Sequence, residues 1–131
     1  MNSSSIDEAE ATSYGVSGKI KMWNPDTKKS LEDALLAMCE EISAHADGFY
    51  GHIKTILRST DGWVSMNLVD PRLGVHEAGS MPDCPCDFKV MAVALDIDHE
   101  SLRGIMHTKL ASVDGLEVIA SINAPILNIE D

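Results

Sequence analysis

Long apolar runs are missing from this 131-residue sequence. No stretch approaches the roughly 18 residues that a membrane-spanning helix needs, and the N-terminus carries neither a basic nor an apolar leader region, so a cytoplasmic location is the expectation. Cysteine is scarce and odd in number, three in all, which rules out a complete intramolecular disulfide framework and points to reduced thiols. Positive charge is also in short supply: ten Lys and Arg stand against 21 Asp and Glu, for a formal net charge of −11. Such a field repels polyanions at long range, so neither nucleic acid nor an anionic membrane surface is an expected partner. The sequence has no Gly-x-x-x-x-Gly-Lys phosphate loop, no Gly-x-Gly-x-x-Gly turn, no Gly-x-Ser-x-Gly elbow and no His-Glu-x-x-His helix.

What is present is an ordinary globular composition, 44% hydrophobic and 24% charged, in a chain long enough to bury roughly two-thirds of the surface its unfolded form exposes. Residues 1–16, rich in Ser, Thr, Ala and acid, read as a flexible acidic tail, and 17–131 as a single α+β domain. The segment 18–23 alternates as a strand, with Ile20 and Met22 on one side and Lys19, Lys21 and Trp23 on the other. Asn24-Pro25-Asp26 reads as a turn. Ser30 is placed as the N-cap of a helix carrying Leu31, Leu35, Met38 and Ile42 as its apolar stripe, with Gly48 as its stop.

Two strands between Gly51 and Asp70 are expected to turn at Asp61-Gly62, pairing Leu57 with Met66 and Thr55 with Leu68, so that Ile53, Leu57, Val64, Met66 and Leu68 share one face. Residues 71–86 then form a long connection. The apolar run from Phe88 to Ile97 reads as a central strand covered on both faces. Asp98 caps a second helix with Leu102, Ile105, Met106, Leu110 and Val113 inward, ended by Gly115, and a last strand covers 116–122. The resulting order, β-α-β-β-β-α-β, resembles a ferredoxin-like split β-α-β variant: an antiparallel sheet with two helices on one face.

Two constellations carry possible chemistry. In the loop before Phe88, Cys84 and Cys86 stand one residue apart and His76 could add a nitrogen, a ligand set suited to zinc or copper; the same cysteines could instead form a redox dithiol, or simply pack. The second is the sheet face turned away from the helices. Strand parity assigns it Lys19, Lys21, Trp23, His52, Lys54, Arg58 and Trp63, a basic and aromatic surface in an acidic chain. Such a face can bind a small anionic ligand, be buried between subunits, or simply carry Lys and Arg for solubility and to discourage edge pairing, and Val90, Ala92 and Ala94, placed on that side, tilt the functional readings toward an interface. The apolar tail Ile126, Leu127 and Ile129 points the same way, toward a homo-oligomer. The leading reading is a non-catalytic, oligomeric binding protein that holds a metal at the Cys-Pro-Cys loop. The alternatives are a small enzyme acting on an anionic molecule at the basic face, and a thiol redox protein.

Overall fold

The first strand begins earlier than its alternation suggests, because Tyr14 and Val16 already belong to the core, 6% and 0% exposed. The structure, a computed structural model, describes residues 11–46, 48–49 and 51–122. Strand β1 runs Ala11–Trp23 and helix α1 Pro25–Ala46; strands β2 (Gly51–Ser59), β3 (Gly62–Leu68), β4 (His76–Ser80) and β5 (Cys84–Leu95) follow, then helix α2 (His99–Leu110) and strand β6 (Leu116–Ile122). The fold is α+β, with six strands in one antiparallel sheet, ordered β4-β3-β2-β5-β1-β6, and two helices. Residues 11–16, assigned above to a tail, are strand; the apolar tail at 126–129 lies outside the described residues.

Helix α1 starts a full turn before Ser30. Asn24 is the effective cap, its side-chain oxygen accepting from the Thr27 N–H at 2.8 Å, and Pro25 occupies the first helical position, where a missing N–H costs nothing. The triplet read as a turn is therefore a helix start. Asp98 does cap α2, accepting from both the backbone N–H and the hydroxyl of Ser101 at 2.8 Å. Leu31, Leu35, Met38 and Ile42 of α1 and Leu102, Ile105, Met106 and Leu110 of α2 close over one sheet face. There they meet Val16 and Ile20, Ile53 and Leu57, Val64, Met66 and Leu68, and Phe88, Val90, Ala92 and Ala94.

Three registers differ from the sequence reading. The β2–β3 loop is Thr60-Asp61, flanked by the pair Ser59 and Gly62, with Leu57 opposite Val64 and Thr55 opposite Met66. This is a slip of two residues, which leaves every side chain on its expected face. In β1 the register shifts between Ile20 and Trp23. One extra residue reverses the parity, so Trp23 is buried at 4% while Met22 is 44% exposed. In β5, Phe88 turns inward and takes Val90, Ala92 and Ala94 with it, all fully buried against the helices.

The connection expected at 71–86 contains an additional strand. Asp70 accepts from the Arg72 backbone and side chain, which shapes the turn at 70–74, and β4 then pairs with β3 from His76 opposite Asn67 to Ser80 opposite Trp63. Residues 81–83 cross the end of the β2–β3 hairpin to reach β5, spanning three strand spacings, about 14 Å. Among the described residues no helix is long and apolar enough to cross a membrane.

Candidate functional site

Both helices pack on the same side, so among the described residues the opposite sheet face has no helical layer. Its composition follows from the registers. Strand β2 presents His52, Lys54, Ile56 and Arg58; across from them stand Val93, Met91, Lys89 and Asp87 of β5 on one side, and Asn67, Ser65 and Trp63 of β3 on the other. Lys19 of β1 lies opposite Asp87 and forms an ion pair with it at 3.0 Å.

Of the seven residues assigned to this face, Lys19, His52, Lys54, Arg58 and Trp63 are on it. Trp23 is not, because the register shift turns it into the core, and Lys21 is exposed at the far end of β1, its backbone N–H donating to Gly115 at 2.9 Å. Lys89 was missed. It became a face residue once Phe88 settled the parity of β5, and the bulk of that one aromatic was the signal in the sequence that could have revealed it.

Lys19, Lys28, Lys29, Arg72, Arg103 and Lys109 each pair with a carboxylate; among the described residues Lys21, Lys54, Arg58 and Lys89 make no ion pair, and Asp87, the carboxylate opposite Arg58, is bound to Lys19. Lys54, Arg58 and Lys89 surround Ile56. Lys89 is its cross-strand partner and Lys54 and Arg58 flank it along β2, so each lies within about 5 to 7 Å of it at the Cβ level.

Trp63 is 49% exposed and stands opposite Arg58. Its ring rests on Gly79 of β4, where a side chain would meet the indole Cε3 at 2.7 Å and where φ is +81°, so glycine is required twice over. A shallow open groove beside it is lined by Ile56, Arg58, Ser59, Thr60, Gly62 and Trp63. At the other end of the face, His52 is held below its ordinary pKa of 6.5, first by burial and then by the charge of Lys54, with the neighbouring Asn67 amide acting in the opposite direction. The Asn67 Oδ1 atom is buried.

The Cys-Pro-Cys residues do not meet His76. Cys84 and Cys86 open β5 in the sheet interior, paired with Trp23 and Ile20, whereas His76 begins the edge strand β4, three strands away and at the opposite end of the hairpin. Among the described residues no three His, Cys, Asp or Glu side chains converge as a metal set. Burial pushes the Cys86 thiol up to about 11, which suppresses the thiolate that both metal binding and disulfide exchange require. Cys39 of α1 is likewise buried and raised to about 11. His107 hydrogen-bonds through Nε2 to the Tyr14 hydroxyl at 2.7 Å, and that hydroxyl also bonds Ser121 Oγ at 2.7 Å. This chain ties α2 to β1 and β6.

Comparison of the chain with protein-family models, with curated proteins and with solved structures finds no match.

Proposed function

We propose that this protein is a non-catalytic binding domain that recognises an anionic partner on its helix-free sheet face. The observation that carries the reading is the group of three cations, Lys54, Arg58 and Lys89, gathered around Ile56 and forming no ion pair among the described residues, the nearby Asp87 being taken up by Lys19. Like charges at this spacing repel, and an anion that accepts hydrogen bonds from all three relieves that repulsion. The register changes shift the balance from a purely apolar subunit interface, because Val90, Ala92, Ala94 and Trp23 leave the face while Lys89 and Asp87 join it together with Met91 and Val93. We place the protein in the cytoplasm on the strength of its three unpaired thiols. We read its core as ferredoxin-like: β1 and β2 both pair antiparallel to β5, which lies between them, and the order β2-β5-β1-β6 supports a split β-α-β unit with β3 and β4 added at one edge.

The test uses inorganic tripolyphosphate. At low salt it should raise the melting temperature in a saturable manner, and a Lys54→Ala, Arg58→Ala, Lys89→Ala triple variant that melts cooperatively should lose the effect. No shift in the wild-type protein at millimolar tripolyphosphate would remove the proposal.

A second reading, a homo-oligomer joined through strand edges, is favoured by two edge features. Strand β4 is exposed at all its positions, and Ile119 on the outer strand β6 is 57% exposed. Exposed edges of this kind are open to pairing with another copy.

A further inference from the structure

Resting on the anion-binding reading of the helix-free face, we infer that its ligand is a phosphorylated aromatic small molecule of the nucleotide kind. The phosphates lie over Ile56 among Lys54, Arg58 and Lys89, and the ring lies in the groove between Arg58 and Trp63.

The spacing of the cations favours several phosphate oxygens over a single carboxylate. Lys54 and Arg58 are four residues apart on one strand, about 13 Å between their Cβ atoms, and Lys89 sits between them on the next strand. Side chains of this length converge over Ile56 only on a group several ångströms across that offers acceptors in more than one direction. One carboxylate would leave at least one of the three charges unpaired. The planar fork of Arg58 suits a phosphate edge, and the two ammonium groups act as point charges.

The aromatic half of the inference rests on Trp63. Trp63 and Arg58 are cross-strand partners that line one groove, and an exposed indole with a guanidinium opposite it offers two faces on which a planar ring can stack. Gly79 holds the ring from the β4 side, so the surface it offers is a fixed one. Ser59 and Thr60 line the same groove; the Ser59 hydroxyl accepts from the Asp61 N–H at 3.0 Å, which leaves its own O–H to donate to a ring heteroatom or an attached sugar. A long polyanion does not fit this site. Screening, with a Debye length of about 8 Å, confines attraction to the patch, and a polymer extending beyond it meets the field of a chain with net charge −11.

Intrinsic fluorescence provides the test, because the only other tryptophan, Trp23, is buried at 4%. Adenosine triphosphate, inorganic tripolyphosphate and a Glu-rich peptide are titrated at low salt, with calorimetry on a Trp63→Ala variant. The expected result is quenching by adenosine triphosphate and an affinity about tenfold above that of tripolyphosphate, a modest share of what one stacked base contributes. The variant should lose that advantage while still binding tripolyphosphate. A Lys54→Met, Lys89→Met variant, which keeps the apolar stems, should lose both ligands and retain its melting temperature. Equal affinities for the two phosphates, unchanged in Trp63→Ala, overturn the aromatic assignment and leave the anion reading standing. Binding of the peptide alone overturns it in favour of an acidic polypeptide partner. Binding of none of the three removes both readings.

Discussion

Gly62 shows how a residue can be required for more than the reason its neighbours suggest. The loop is Thr60-Asp61 and neither takes a positive φ, but Gly62 itself does, at +158°. It is also crowded, since a side chain there would stand 2.5 Å from the Ser80 carbonyl oxygen. Gly62→Val is expected to cost about 1 to 3 kcal/mol by overpacking against backbone that cannot step aside. A melting temperature several degrees lower is the outcome that checks it. His52 makes a second prediction. Its folded pKa is depressed below 6.5 by burial and by Lys54, so the unfolded chain binds more protons than the native one just below that pH. Its contribution to stability is therefore present above pH 6.5 and is lost as pH falls through the folded value. Urea unfolding at pH 7.5 and 5.5 should show a drop in the wild-type protein that is smaller in His52→Gln.

At the scale of elements, a few polar bonds join pieces that apolar packing only brings near. The Tyr14 hydroxyl sits between His107 of α2 and Ser121 of β6, 2.7 Å from each, and the His99 ring stands edge-on to it at a centroid distance of 5.5 Å. Tyr14→Phe keeps the ring and removes both bonds. Because Ser121 is exposed and His107 half-buried, both groups regain water, and the expected loss is only about 1 kcal/mol, read from denaturant midpoints. The backbone amides of β6 near Ser121 should then exchange faster with solvent than those of β5, because the edge strand alone loses its tie to α2. The elements themselves were largely legible. Helix α2 with its Asp98 cap, strand β6 and the β2–β3 hairpin lie where periodicity and cap chemistry put them. The start of α1 was misread because Asn-Pro-Asp serves equally as a turn and as a cap followed by a first helical turn, and the distinction depends on whether the next residues find a sheet to pack on.

The whole molecule is a sheet with one dressed and one bare face, and how it meets other molecules is decided there and at its edges. Light scattering at tens of micromolar is expected to give a mass above 14.2 kDa if copies join through β4 or β6, and Ala78→Pro on the exposed edge strand β4 should reduce that mass if β4 is the edge used. A monomer mass without concentration dependence would set the second reading aside and leave the anion reading untouched. Composition and periodicity carried the α+β class, the central place of the Phe88 strand and most core residues, because burial of apolar side chains at helical or strand spacing is a local pattern repeated along the chain. Face membership was not recoverable in the same way. A single inserted residue in β1 and the inward turn of Phe88 each invert a row of side chains, exchanging Trp23, Val90, Ala92 and Ala94 for Lys89, Met91 and Val93 on the open face. The separation of His76 from Cys84 and Cys86 followed from β4, a strand formed by residues that are all exposed and so carry no hydrophobic pattern. Parity and strand order are set by pairing between distant segments, and that long-range choice turned a suspected metal loop into sheet and set Lys89 beside Lys54 and Arg58 on the open face.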